Sequence, residues 1–312
     1  MQIRKLGTAG PQVSLVGLGT NNFGGRIGLK ASRLVVDRAL DLGVSLIDTA
    51  DVYGNKGGSE EILGEVLGPR RSKVVLATKF GMPMDSAAGR AGASRRYIMQ
   101  AVESSLRRLK TDWIDLYQVH RPDPTTPIEE TLRALDDLRV AGKIRFIGCS
   151  NFSAAQLEEA LTVAERTGIA GFISCQDEYN LLDRSLEKDR LPLMQKHGLG
   201  LLPYFPLASG LLTGKYRQGA PLPAGSRLAR SPHHADGLLN ARSWRLVEDL
   251  REFAARRGHT LLELAMSWLA SRPNISSIIA GATRPEQVEA NAAAVGWELS
   301  QPELAEIDRI TL

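Results

Sequence analysis

Residues 74–120 read VVLATKFGMPMDSAAGRAGASRRYIMQAVESSLRRLKTDWIDLYQVH. The stretch opens on Val74–Lys79 and closes on Ile114–His120, two apolar runs with little polar alternation. A half-buried strand alternates apolar with polar, whereas near-continuous runs of this kind suit parallel strands covered on both faces by helices. Between them Ile98, Val102, Leu106 and Leu109 recur at spacings of three and four, which gathers them into one stripe of a helix over Arg95–Leu109. Strand, helix and strand in this order make one βαβ unit.

The unit repeats in both directions. Further runs at Ser14–Gly19, Ser45–Asp48, Phe146–Ser150, Phe172–Gln176, Gly200–Tyr204 and Ile275–Ala280 bring the number to eight. Helical stripes occupy Ala31–Leu42, Thr126–Val140 and Ser153–Thr167, the last with Ser153 placed as N-cap, Gln156 three residues on, and Gly168 past its end. Run ends at 48, 79, 120, 149, 176 and 204 lie 31, 41, 29, 27 and 28 residues apart, and one βα unit takes about 30. Eight such units predict one α/β domain over residues 1–312, a closed (β/α)8 TIM barrel. An open doubly wound sheet is the alternative, and it would want Gly-x-Gly-x-x-Gly after the first strand. Gly17-Leu18-Gly19-Thr20-Asn21-Asn22-Phe23 lacks the third glycine, which argues for the barrel.

Three segments fall outside the repeat. Gln2–Leu6 and Gln12–Leu15 flank the turn-rich residues 7–11, and a hairpin closing the bottom of the barrel is expected. The Gly- and Pro-rich residues 218–240 read as a long loop insertion, followed by helices at Trp244–Arg257 and at Leu261–Ser271 behind a Thr260 cap. The C-terminal tail 299–312 reads as a short helix with Pro302 in its first turn.

Composition narrows the function classes. With 43% hydrophobic and 24% charged residues among 312, the chain is ordinary globular material, and no apolar run approaches the ~18 residues of a membrane-spanning helix. The start, MQIRKLGTAGPQVSLVGLGT, lacks the apolar core of a signal peptide. Only Cys149 and Cys175 are present, so neither a disulfide scaffold nor a cysteine zinc site is expected, and a cytoplasmic location is the default. A net charge of +4 without a basic block favours small anionic ligands weakly and gives no case for nucleic acid. His233 and His234 are adjacent, so they point apart, and with no third ligand nearby no metal is expected.

In a barrel, chemistry sits at the C-terminal ends of the strands. Those ends carry Asp48 in DTADVYG, Lys79 in LATKFG and His120 in LYQVHRPD, with Tyr53 in the loop after Asp48. An acid, an amine, an imidazole and a phenol gathered on one face suit protonation of a carbonyl oxygen. A free tyrosine is too weak an acid for that near neutral pH; a neighbouring ammonium favours the phenolate and is expected to lower its pKa. The carboxylate would hold that ammonium charged, and a neutral imidazole would orient the carbonyl. A nucleophile for the carbonyl carbon is missing, and hydride from a reduced nicotinamide would supply it.

These motifs, together with GKIRFIGCSNF, SCQDEYN, LLPYFPLASGLLTGKY and IIAGATRPEQVEAN, closely resemble those of the aldo-keto reductases, from about Arg4 to about Asn291. The resemblance implies a (β/α)8 barrel that reduces aldehydes and ketones with NADP(H) and without metal. It implies a catalytic tetrad of Asp48, Tyr53, Lys79 and His120, with Tyr53 as proton donor. It places Ser150, Asn151 and Gln176 on the nicotinamide carboxamide, Tyr204 against its ring, and Leu207, Ser209, Gly210, Leu211 and Lys215 around the pyrophosphate. Gly19, Thr20 and Asn21 at the first strand end join this cofactor set. Gly281, Thr283, Arg284, Gln287 and Asn291 would hold the adenosine end, with Arg284 the reason to expect NADP rather than NAD. One departure is Ala290, where an acidic residue is common, so one contact to adenine is lost.

Plainer readings exist for each residue. Asp48 could cap the segment after its strand, Lys79 could reach for solvent, Tyr53 could wedge into the core, and a lone histidine is usually structural. Gln176 and Asn151 could tie down loop backbone, Tyr204 could be barrel packing, and Gln287 and Asn291 could form a solvated helix face. The conjunction at strand ends favours chemistry. Two rival functions remain: a Schiff-base lyase using Lys79, and, as the resemblance allows, an NADPH-binding subunit acting as a redox sensor. Specificity would lie in loops 21–30, 80–93 and 218–240, with Phe23, Met82 and Trp113 as candidate pocket borders.

Overall fold

The computed structural model describes residues 1–84 and 91–312. Two short antiparallel strands, β1 (Ile3–Lys5) and β2 (Gln12–Ser14), form the expected hairpin, with Ile3 opposite Ser14. Eight parallel strands follow: β3 (Val16–Gly19), β4 (Leu46–Asp48), β5 (Val75–Phe80), β6 (Ile114–Val119), β7 (Ile144–Ser150), β8 (Ser174–Gln176), β9 (Gly200–Leu201) and β10 (Ile278–Gly281). They pair in the order β10-β3-β4-β5-β6-β7-β8-β9. The two ends of that order meet. Leu201 N–H donates to Asn274 O at 2.7 Å, Ser276 N–H to Leu201 O at 3.0 Å, and Ile279 N–H to Pro203 O at 2.9 Å. A doubly wound sheet would keep two free edges, so this is a closed (β/α)8 barrel.

Helices clothe it: α1 (Leu29–Asp41), α2 (Tyr53–Leu67), α3 (Arg95–Leu109), α4 (Ile128–Val140), α5 (Ala154–Thr167), α6 (Arg190–Lys196), α7 (Pro232–Leu238), α8 (Ala241–Ala255), α9 (Leu261–Ser271), α10 (Pro285–Ala293) and α11 (Gln301–Thr311). The caps follow the sequence. Ser153 and Gln156 form a capping box on α5, Gly168 closes it in the left-handed conformation, and Thr260 with Glu263 repeats the box on α9. Residues 218–240, expected as a loop, instead carry a 3-10 turn at Leu228–Arg230 and then α7. His233 and His234 fall in α7, and their side chains lie outside the described residues. Residues 85–90 of the expected specificity loop 80–93 also lie outside them.

Burial on both strand faces produces two cores. Ile47, Leu76, Tyr117, Ile147 and Leu201 belong to the large core that includes the apolar helix stripes. Leu46, Ala77, Leu116, Leu202 and Ile279 form a separate cluster with Leu6 and Val13 of the hairpin region. Those two side chains are fully buried and stopper the bottom of the barrel. Gly7 makes the fit possible: it has φ +60°, and a Cβ there would come within 2.6 Å of Ile173 O and 2.8 Å of Gly198 O. Polar side chains are left for the other end.

Candidate active site

Strand alternation sends Asp48, Lys79, Gln118 and Gln176 into that polar end. Lys79 is fully buried, and its Nζ donates to Asp48 Oδ2 at 2.6 Å and to Thr49 O at 2.8 Å. The other Asp48 oxygen accepts from Gln176 Nε2 at 2.8 Å and Gln118 Nε2 at 3.2 Å. Lys79 Nζ also stands 5.0 Å from the Tyr53 ring centroid and interacts with its hydroxyl through charge and a hydrogen-bonding contact. His120 meets the same ring edge-on, centroids 5.7 Å apart. The four residues therefore come together as the sequence suggests.

Their protonation follows from the surroundings. Burial works against the Lys79 charge, but Asp48 and then Tyr53 outweigh it, and its pKa rises. Burial, with Lys79 and Arg121 adding to it, drives the His120 imidazole down to about 3, so it is neutral, and its Nδ1 has no hydrogen-bond partner among the described residues. Tyr53 departs from expectation. Burial raises its pKa more than Lys79 lowers it, so the net shift is upward. The phenol holds its proton; what Lys79 adds is a stabilised site for the negative charge left when that proton goes.

Backbone geometry sets Tyr53 in place. Immediately after it, Gly54, Asn55, Lys56 and Gly57 all have positive φ, so the regular part of α2 starts later. Gly54 packs against Phe23 O and Ser59 N, and a Cβ at Gly24 would come within 2.8 Å of Gly58. The turn carrying Tyr53 thus lies backbone to backbone on the loop after β3. Ser59 Oγ ties the two together, donating toward Thr20 O at 3.0 Å and accepting from Thr49 Oγ1 at 2.9 Å.

A cleft of about 590 Å³ runs from the tetrad across the barrel mouth. Asp48, Tyr53 and His120 line it, while Lys79 stands behind them. Gly19, Thr20 and Asn21 line it too, and Thr20 Oγ1 donates to Asp48 O at 2.9 Å. Ser150, Asn151, Gln176 and Tyr204 form its inner wall and are wired to one another. Tyr204 OH donates to Asn151 Oδ1 at 2.8 Å, Asn151 Nδ2 donates to His120 O and Ser150 Oγ at 2.9 Å each, and Ser150 Oγ donates to Gln176 O at 2.6 Å. The plainer role, holding backbone, is therefore real for Asn151, whereas the Gln176 amide goes to the Asp48 carboxylate.

Farther along, Leu207, Ser209, Gly210 and Lys215 line one side, and Gly281, Thr283, Gln287 and Asn291 the other. A Cβ at Gly210 would come within 2.6 Å of Lys215 Nζ, so the glycine leaves that ammonium its room. Two expected residues do not line the cleft. Leu211 is fully buried in the core, and Arg284 is exposed at the N-terminus of α10. Of the three candidate pocket borders only Met82 lines it. Phe23 is fully buried, and Trp113 precedes β6 at the opposite end, flanked by Arg71 and Arg145 at 4.7 and 4.8 Å.

The sequence reading missed Arg26, Arg121 and Arg227, which line the cleft. Arg26 donates to Gly225 O, bridging the loop after β3 to residues 218–240, and Arg227 stacks on Phe205 at 4.6 Å. Loop charges carry no periodicity, so only an unpaired basic residue beside a strand end, as Arg121 is beside His120, could have pointed to one of them. Among the described residues no group of three His, Cys, Asp or Glu is placed to hold a metal, and no helix is long and apolar enough to cross a membrane.

A closed parallel barrel with titratable side chains at its strand ends and a long cleft over them defines the class, a (β/α)8 barrel. A profile of the Aldo/keto reductase family matches residues 15–311. The chain is 41% identical over 304 residues to a protein of Arabidopsis thaliana named "Probable voltage-gated potassium channel subunit beta", covering 95% of this chain and 91% of that one. It is 36% identical to "Aldo-keto reductase YhdN" of Bacillus subtilis (99% and 93% covered) and 34% identical to "L-glyceraldehyde 3-phosphate reductase" of Escherichia coli strain K12 (99% and 92%). The chain belongs to the aldo/keto reductase family, whose members are oxidoreductases.

Proposed function

We propose that this protein reduces an aldehyde or ketone to the alcohol with NADPH, Tyr53 giving its proton to the carbonyl oxygen. The observation that carries the reading is Lys79, buried as an ammonium between Asp48 and the Tyr53 hydroxyl while Tyr53 and His120 face the cleft. Neutral His120 donates to the carbonyl oxygen and holds it toward Tyr53. As that oxygen gains charge, Tyr53 transfers the proton, and the Lys79 ammonium stabilises the phenolate left behind. A positioned general acid contributes ~10²–10⁴-fold.

The cleft suits a dinucleotide. Tyr204 offers an aromatic wall, the Ser150, Asn151 and Gln176 groups offer donors and acceptors beside it, Arg227 offers a cation within electrostatic range of Tyr53, and Lys215 and Arg26 offer cations farther along. When bound there, NADPH supplies the hydride that reduces the carbonyl carbon. Arg284 does not line the cleft but lies within electrostatic range of Arg26, which does, so the preference for NADP rests on both charges. The site acts without metal on a small carbonyl compound.

The test is oxidation of NADPH, followed by absorbance, across a panel of aldehydes and ketones, with Tyr53→Phe beside the wild type. Turnover that falls about 10²–10⁴-fold while NADPH still binds is expected. Equal turnover in both proteins would sink the assignment to Tyr53. Burial raises the phenol's pKa, so where chemistry limits the rate, reduction holds further into the alkaline range than a free tyrosine would allow.

A Schiff-base lyase is disfavoured, because an imine needs a neutral amine and Lys79 is held as an ammonium by Asp48. Borohydride should trap no substrate on Lys79. The identity with a relative named as a channel subunit favours a second reading, a subunit that binds NADPH and turns over little. Wild-type turnover as slow as that of Tyr53→Phe, with NADPH bound, would select it.

A further inference from the structure

We propose that Arg121 anchors an anionic group on the carbonyl substrate, so that the substrate is an aldehyde or ketone bearing a carboxylate or a phosphate. The inference rests on the reductase reading and names the substrate class of the same site.

Arg121 directly follows His120, and its exposed side chain lines the cleft at the tetrad end. Its charge acts on the His120 imidazole and on the Tyr204 phenol, the two rings that border the carbonyl site. The backbone presenting it is fixed on both sides. His120 N–H donates to Phe80 O at 2.9 Å, and His120 O accepts from Asn151 Nδ2 at 2.9 Å. Two residues after Arg121, Asp123 accepts from Ala93 N–H at 2.8 Å and from Thr125 N–H at 2.9 Å. A tied loop thus offers a long cation into the mouth.

That cation has no ion pair among the described residues. Among the described residues the only carboxylate lining the cleft is Asp48, and it is already satisfied by Lys79, Gln118 and Gln176. The other cleft cations are differently occupied. Lys215 and Arg26 belong to the far arm. Arg227 also lies in electrostatic range of Tyr53, but it stacks on Phe205 and has Glu178 in range as well. Among the described residues Arg121 is therefore the cleft cation at the tetrad end that is neither stacked on a ring nor ion-paired. A guanidinium forks onto a carboxylate or phosphate through two parallel hydrogen bonds, which also fixes how the carbonyl is turned toward Tyr53.

Two matched pairs separate the anions from neutral shape. One is 4-carboxybenzaldehyde against methyl 4-formylbenzoate; the other is 4-formylphenyl phosphate against 4-methoxybenzaldehyde. The wild type should favour at least one anion over its partner in kcat/KM by roughly tenfold or more, the scale of one charge-assisted hydrogen bond. Which pair shows it tells carboxylate from phosphate. Arg121→Met should bring that ratio close to one, Arg121→Lys should restore part of it, and added salt should erode it in the wild type. Arg166→Met, a change at an exposed arginine paired with Glu129, should leave the ratio alone.

Calorimetry supplies a readout without turnover. The alcohol 4-(hydroxymethyl)benzoate should bind wild type more tightly than its methyl ester, and Arg121→Met should abolish the difference. Ratios near one for both pairs in the wild type, or a preference that survives Arg121→Met and vanishes in Arg227→Met, would overturn the proposal. If none of the four aldehydes oxidises NADPH, it is the reductase reading that fails, and the calorimetric comparison still decides whether Arg121 holds an anion.

Discussion

Asp48 and Asp51 leave the same strand end three residues apart, and only 3% and 1% of their surfaces remain exposed. Asp48 receives an ammonium and two amides. Among the described residues no side chain hydrogen-bonds Asp51, and the backbone of Val52 is its hydrogen-bonding contact. Burial, with the Glu60 carboxylate adding to it, pushes Asp51 up to about 8, although Arg108 and Lys79 pull the other way. Glu60 is fully buried as well but accepts from Thr78 Oγ1 at 2.6 Å and from Arg108 Nε at 2.7 Å. Depth alone does not decide whether a buried acid is charged. Partners do, and the strand register delivers them to Asp48.

The largest break in this contrast is Lys79→Met. It leaves Asp48 buried with no cation, a loss of about 3–5 kcal/mol in stability, read by chemical denaturation, together with loss of NADPH oxidation. A variant as stable as wild type would mean that Asp48 had found other compensation. Next comes the pair Asp48→Asn and Asp51→Asn, compared for turnover at pH 7. The first should lower kcat roughly tenfold or more by releasing the Lys79 ammonium, whereas the second should stay near wild type. Equal losses would erase the distinction between the two aspartates.

A smaller effect sharpens the contrast through pH. An acid whose folded pKa lies above its unfolded value stabilises the folded state at low pH and loses that contribution as pH climbs toward the folded value. Asp51, at 3.8 ordinarily and about 8 here, should make the wild type progressively less stable between those limits. Melting temperatures of Asp51→Asn and wild type should therefore draw apart from pH 5 to pH 8, the variant gaining. Parallel curves would show that Asp51 titrates normally. The smallest expected change is Gln176→Leu, which removes one neutral donor from Asp48 and should cost on the order of 1 kcal/mol.

Much of this was legible in the chain. Val74–Lys79 and Ile114–His120 announce strands buried on both faces, and the register then dictates that Lys79 points where Asp48 does. The stripes of α3 and α9 gave their boundaries to the residue, Arg95–Leu109 and Leu261–Ser271. What stayed hidden depends on backbone that has no period. α2 begins in YGNKGGSEEILG, where four left-handed residues break the spacing that would reveal a helix. α6 and α7, seven residues each, are too short to show a stripe. The raised pKa of Tyr53 was out of reach for a different reason: Lys79's effect is visible from residue type, but the opposing burial exists only once the barrel is closed.

The hairpin at the foot of the barrel, with Leu6 and Val13 driven into it, has a consequence for traffic. Among the described residues that end is packed with apolar side chains. Tyr53 faces the cleft at the opposite, strand-end side. A ligand bound against Tyr53 would therefore come and go by the mouth formed at the strand ends.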